Sequence, residues 1–267
     1  MNEIASSLTF DGSGLEASAL GRYPGLLANV EREIGDNAVA FLKRVYRDGL
    51  ARYQARIDAV GLGSRDHVLD AGCGLGQWSF ALARTCRRVS GIDVAPERIA
   101  VCRLLAEAAQ CENAAFVAGS LEQLPFAAGS FDGAISYSVL YFTNFPRAIA
   151  EIGRVLRPGG LFYMSTNGVG RYLYDIVHNP YPATDFNPRV YGLRSLANTL
   201  RDRRTGLSAQ TGTAAMSRKA TLRALRSAGF AVLACGPEGS LGKGDTAFQK
   251  PFFWGVTAVF DVLAQRR

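Results

Sequence analysis

The sequence predicts an α/β fold built on a mostly parallel sheet. Three observations carry that prediction. Short apolar runs alternate with helix-patterned segments from about residue 66 to 166. The first run, within HVLDAGCGLGQW (His67–Trp78), opens onto three glycines at alternate positions, Gly72, Gly74 and Gly76, before a helical pattern begins. Two further apolar runs, at Phe230–Cys235 and about residues 252–263, close the chain.

Taken in order, residues 1–25 are Ser/Gly-rich with scattered apolar side chains and read as a loosely structured arm, punctuated by Pro24-Gly25. Residues 26–60 read as one helix, with Val39, Leu42, Val45, Tyr46, Leu50 and Tyr53 at three- and four-residue spacing and Gly61 and Gly63 ending it. The first strand and the glycine turn follow. Glycine tolerates φ > 0 and has no Cβ, so a ligand can lie on the backbone, and the next helix points free N–H groups at it. Val89–Val94 (VSGIDV) is a second buried strand whose end carries Asp93. Pro96 starts a helix, as proline suits a first turn. Ala114–Ala118 and Phe131–Ser136 are strands three and four. Pro146 opens a helix read through Arg157, stopped by Pro158-Gly159-Gly160, and Leu161–Thr166 is strand five. Residues 167–215 break the rhythm and read as an insertion of short helices and loops, a lid or substrate wall. Ser217 caps a helix through Ala228, and two final strands end the chain. The expected organisation is an N-terminal arm and helix over 1–60 and one domain over 61–267.

The 267 residues include 48% hydrophobic ones, enough for a sizeable core, and no apolar run long enough to span a bilayer. The N-terminus lacks a basic region followed by an apolar one, so no secretory signal is expected. Cys73, Cys86, Cys102, Cys111 and Cys235 are odd in number with no CxxC spacing, which suggests free thiols in a reducing, cytoplasmic setting. Two histidines, His67 and His178, make a His-rich metal site improbable, and no metal is expected. The net charge is +7, with a basic run from Arg189 to Arg226 interrupted by a single acid, Asp202. A solvated helical face is the simplest account of that run.

The blocks VLDAGCGLG, GIDV, GSLEQLPFAAGSFD and AIAEIGRVLRPGG, in that order, resemble the class I S-adenosylmethionine-dependent methyltransferases, and more narrowly the type 11 branch that acts on small molecules. The resemblance covers about residues 64–166, with plausible topology over 217–263. It implies a Rossmann-like, seven-stranded sheet, mostly parallel with an antiparallel last strand, and S-adenosyl-L-methionine as cofactor. It also implies roles. Gly72, Cys73, Gly74 and Gly76 would face the methionyl part. Asp70 would hold the loop and reach the amino group. Asp93 would accept from the ribose hydroxyls, with Arg98 behind it. Val94 and Leu121 would sandwich adenine, and Ser120 stands where an acid is common. Ser136 and Tyr137 would present a backbone carbonyl to the cofactor's ammonium group. Taken singly, each has a plainer alternative: Gly74 and Gly76 as packing glycines, Asp93 as a helix cap, Leu121 as core. A nicotinamide-binding turn fails on spacing, because G-x-G-x-x-G would need glycine where Gln77 stands.

Methyl transfer from a sulfonium is an in-line displacement in which the protein mainly aligns the acceptor, worth roughly 7–11 kcal/mol in favourable cases. The expected acceptor is a small molecule, through O or N rather than C, and the arginines suit an anionic one. Tyr141 aligns with a position that often carries histidine in related enzymes and would orient the acceptor. His178 is the base candidate, although a surface role suits it better. Tyr172 and Tyr174 are wall candidates. Two alternatives stay open: a nucleic-acid methyltransferase using 189–226, against which Ser136–Val139 reads SYSV, and a non-catalytic cofactor-binding regulator. Nucleic acid and membrane are not expected partners, and a monomer and a homodimer are equally open.

Overall fold

The structure, a computed structural model, describes residues 24–47, 49–180, 186–205, 213–241 and 247–267. The arm read over residues 1–25 lies outside it up to residue 23, as do residues 181–185 and 206–212 of the insertion. The helices are α1 (Pro24–Tyr46), α2 (Ala51–Ala59), α3 (Gln77–Ala83), α4 (Pro96–Ala108), α5 (Phe145–Val155), α6 (Val169–His178), α7 (Pro188–Thr205) and α8 (Arg218–Ser227). The strands are β1 (His67–Ala71), β2 (Arg88–Asp93), β3 (Ala114–Ala118), β4 (Phe131–Tyr137), β5 (Leu156–Asn167), β6 (Phe230–Pro237), β7 (Phe252–Phe253), β8 (Val256–Thr257) and β9 (Val259–Arg266). Seven strands form one sheet in the order β3-β2-β1-β4-β5-β9-β6. β9 runs antiparallel to both its neighbours, whereas β1, β2 and β3 pair in parallel. This is the mostly parallel sheet with an antiparallel last strand that the sequence predicts.

The chain divides into two compact units, one of residues up to Ser120 with 131–133, the other of 121–130 with 134–267. In the first unit, Val68 and Leu69 of β1 and Ile92 of β2 are fully buried, as near-continuous apolar strands of a covered parallel sheet should be. The single helix read over 26–60 is two. Tyr46 ends α1, Gly49 takes φ 66°, and the chain restarts at Ala51. Periodicity continues across the break because both helices bury apolar faces, so spacing alone does not reveal it. Tyr46 is fully buried, and its hydroxyl donates to Leu75 O in the glycine turn at 2.8 Å.

In the second unit, β5 pairs with β9 from Leu161↔Gln265 to Asn167↔Val259. The helix read through Arg157 ends at Val155, and Leu156 is already extended at φ −80°, ψ 140°. Asn144 caps α5 by accepting from Arg147 N at 3.3 Å. Ser217 caps α8 as expected, accepting from Ala220 N at 3.1 Å. The last strand read over 252–263 is a short β7–β8 hairpin followed by β9, because Trp254 (φ 49°) and Gly255 (φ 73°) turn the chain back on itself. Among the described residues, the insertion holds two helices, α6 and α7, packed on each other.

Candidate functional site

The turn between β1 and α3 is a cup of backbone. Gly72, Gly74 and Gly76 take φ of 88°, 55° and 84°. Ile92 O accepts from Gly72 N and Cys73 N at 2.8 and 2.9 Å, and Gly76 N donates to Cys73 O at 2.8 Å. The glycines differ in what they face. A Cβ on Gly74 would meet nothing within 4 Å, so that side of the turn is open. A Cβ on Gly76 would stand 2.8 Å from the Phe80 ring and 3.2 Å from Cys102 Sγ, so Gly76 serves helix packing. Cys73 is buried, and its thiol is pushed well above the ordinary range, first by a hydrogen bond with Cys102 and then by burial. It is not a nucleophile.

Two buried carboxylates flank the turn. Asp93 Oδ2 accepts from Gly74 N at 3.0 Å and Oδ1 from Ala95 N at 3.1 Å, so Asp93 ties the turn to the start of α4. Each oxygen keeps a second lone pair for a hydroxyl donor. Asp70 Oδ2 accepts from Ser79 Oγ at 2.6 Å. Burial pushes the Asp70 carboxyl up to about 7, opposed by the Ser79 hydrogen bond and helped by the charge on Asp93. A buried carboxyl of this kind gains from a cation beside it. Past Asp93, Val94 is 76% exposed, an apolar side chain with its face free. Arg98 and Ser120 are also exposed, and Gly119 N donates to Asp93 O at 2.9 Å. The structure therefore brings Asp70, Gly72, Cys73, Gly74, Gly76 and Asp93 together in the first unit.

The second unit holds the remaining residues. Leu121 and Ser136 are buried. Tyr137, at the end of β4, donates to Glu238 Oε1 at 3.2 Å and stands edge-on to Phe248 at 5.6 Å. Glu238 is buried and its Oε2 accepts from Phe248 N and Gln249 N at 2.9 and 3.1 Å. Gln249 in turn donates to Ser138 Oγ and accepts from Arg171 Nη1, at 3.3 and 2.8 Å. The sequence pattern gives no sign of this network, since Glu238 and Gln249 lie in a segment read as a plain connection.

Tyr141 lies in a short 3₁₀ turn (Leu140–Phe142) and is buried. Burial drives its phenol far above the ordinary value, with the Tyr191 hydroxyl adding to the rise and Arg171 and the Asn167 side chain opposing it. Tyr141 is thus a hydrogen-bond donor and not a base. Tyr172 is likewise buried and raised, first by desolvation, and stands 5.9 Å from the Tyr191 ring. Asp175 is buried against Arg171 Nη2 at 3.0 Å. Burial lifts the Asp175 carboxyl despite that cation. Tyr141, Asn167, Tyr172, Asp175 and Tyr191 thus form one buried polar cluster. Asn167 escapes a sequence reading because it is the last residue of β5, one past the strand read over Leu161–Thr166.

His178 is elsewhere. It ends α6, about 9 Å along the helix from Tyr172. It is exposed, stacked on Tyr174 at 4.3 Å, with Nδ1 3.3 Å from Tyr174 O. Of the basic run, Arg189, Arg194 and Arg201 are exposed on α7 and Lys219 is exposed on α8, while Arg218 donates to Cys235 O at 2.9 Å. The side chains of Arg203 and Arg204 fall outside the described residues.

A family model described as a methyltransferase domain matches residues 69–164, from the end of β1 through β5. Residues 69–164 are a class I methyltransferase domain. Malonyl-[acyl-carrier protein] O-methyltransferase of Serratia marcescens is 34% identical over 115 residues, 42% of this chain and 43% of that protein. Fatty-acid O-methyltransferase of Mycolicibacterium smegmatis is 31% identical over 160 residues, 53% of this chain and 57% of its own length. The chain thus spans about half the length of these relatives. Among solved structures, the [4+2]-cyclase SpnF matches with a TM-score of 0.59 at 16% identity, covering 95% of this chain and 97% of its own. That likeness speaks for the fold of the methyltransferase domain alone.

Proposed function

We propose that this chain transfers a methyl group from S-adenosylmethionine to the oxygen or nitrogen of a small-molecule acceptor. The observation that carries the reading is the turn after β1, open above Gly74 and lined by the buried Asp70 and Asp93. When bound, the cofactor supplies a methyl group already activated on a sulfonium, so the protein's work is binding, orientation and exclusion of water. Asp70 meets the amino group and becomes ionised beside it. Asp93 accepts from ribose hydroxyls, and Arg98, exposed on the first turn of α4, is a further cofactor-binding candidate. Gly72 and Cys73 give the cofactor a surface of backbone. Val94 and Leu121 take the adenine, Ser120 its amino edge, and Ser136 and Tyr137 present a carbonyl.

On the acceptor side, Tyr141 donates a hydrogen bond to the nucleophilic atom or its neighbour; the base candidate His178 gains no support, since its ring is exposed and stacked on Tyr174 at the far end of α6. The net charge of +7 suits an acceptor with an anionic group. Five free thiols suit a reducing compartment, and we place the protein in the cytoplasm. Calorimetric titration with S-adenosylhomocysteine, followed by a screen of small-molecule acceptors with labelled cofactor, tests the reading. Cofactor binding with label in an O- or N-methylated product supports it. Binding with no acceptor found favours a cofactor-binding regulator, and label entering RNA favours a nucleic-acid enzyme.

A further inference from the structure

Helix α7 is built inside out. A surface helix normally buries an apolar stripe and shows water a polar one. α7 buries Pro188, Gly192, Ser195 and Thr199, at spacings of four, three and four residues. The hydroxyls are satisfied there: Ser195 Oγ meets Thr213 Oγ1 at 2.6 Å, and Thr199 Oγ1 accepts from Ala215 N at 2.7 Å. Gly192 lets the helix ride on α6, since a Cβ would stand 2.8 Å from Tyr172 O. The outer face carries Val190 (43% exposed), Leu193 (58%), Ala197 and Leu200 (61%), at helical spacing. Arg189, Arg194 and Arg201 flank that stripe and are exposed, and none of the α7 side chains described is acidic.

A second apolar feature belongs to the same unit. The β7–β8 hairpin packs on α6 through Phe253, which meets Tyr174 and His178 at 5.5 and 5.3 Å. Its turn holds Trp254 out, 73% exposed and stacked on Phe253 at 4.5 Å. Helix α6 packs against both α7 and this hairpin.

We propose that α7 docks this protein on the surface of a bilayer containing anionic lipid. An apolar stripe flanked by arginines lies in the boundary between acyl chains and headgroups, with leucines inward and guanidinium groups at the phosphates. Trp254 is not part of this contact, because its hairpin meets α6 at Gly170, Tyr174 and His178, opposite the Tyr172 and Ile176 side on which α7 rests. A second copy suits the face poorly, because a two-fold contact sets the same arginines against each other. Nucleic acid would meet the arginines but leave the leucines without a partner. Among the described residues no helix is long and apolar enough to cross a membrane, so the contact is peripheral. This reverses the sequence's expectation of no membrane partner, and it does not depend on the methyl-transfer reading.

The test is sedimentation of the full chain with phosphatidylcholine vesicles, with and without phosphatidylglycerol, at low and high salt. The wild-type chain is expected to sediment with the phosphatidylglycerol vesicles and to be released by salt. Leu193→Asp/Leu200→Asp should bind at least about tenfold more weakly at unchanged melting temperature, these positions being exposed. Equal sedimentation of the double variant, or no dependence on phosphatidylglycerol, overturns the proposal. So does self-association without vesicles that the double variant abolishes, which would assign the face to a second copy.

Discussion

The turn after β1 holds its shape with backbone, and the α6–α7 segment holds its shape with side chains. In the first, three residues of positive φ and three backbone hydrogen bonds define the cup, joined by the side chains of Asp70, Asp93, Ser79 and Tyr46. In the second, tyrosines, Asn167, Asp175 and Arg171 make a buried polar cluster inside regular helices and at the end of a strand. A backbone cup tolerates few residue types, so it writes a spaced motif into the sequence. A side-chain cluster draws on positions scattered from 141 to 191 and leaves no local pattern.

This contrast can be broken at its sharpest point. Gly76→Ala puts a Cβ into the Phe80 ring at a left-handed position and is expected to lower stability by roughly 2–3 kcal/mol, read as a drop in melting temperature. Gly74→Ala carries only the backbone penalty, about 1–2 kcal/mol, and should damage cofactor binding more than folding. If both variants lose equal stability, the two glycines are not divided between ligand and packing.

Asp70 provides the next test. Its folded carboxyl titrates at about 7, above an unfolded value near 3.8. Between those values the folded chain holds a proton that the unfolded chain has released. Its contribution to stability is therefore present at low pH and lost as pH rises through that window. Melting curves of the ligand-free protein from pH 4 to pH 8, compared with Asp70→Asn, should show a downward slope that the variant lacks. Cofactor affinity should rise over the same window, as Asp70 ionises beside the amino group.

Tyr46→Phe removes one buried hydrogen bond to the turn and is expected to cost about 1 kcal/mol, read by thermal melting, with a parallel loss of cofactor affinity. In the second unit, Tyr141→Phe should lower turnover about tenfold, ~1.4 kcal/mol, with cofactor affinity kept. His178→Ala should have the smallest effect, since that ring is exposed at the far end of α6. Unchanged turnover in that variant removes the base role.

What the sequence made legible follows the same division. The alternation of strands and helices, the glycine turn, Asp93 at the end of β2 and the cap at Ser217 all rest on short-range rules, and the seven strands with the last antiparallel followed from the family resemblance. Three features did not follow. The break at Gly49 hides inside a continuous apolar period. The Trp254-Gly255 turn interrupts an apolar run without changing its composition. The inside-out packing of α7 inverts the rule by which helices are read, because its polar face is satisfied by Thr213 and Ala215, distant in sequence.

The central claim is that the turn after β1 is the cofactor site, and calorimetric titration of S-adenosylhomocysteine into wild type and Asp93→Ala tests it most directly. The account predicts saturable one-site binding by wild type, and a loss of about a hundredfold or more in a variant that still melts cooperatively. Equal affinity in the two proteins would contradict it.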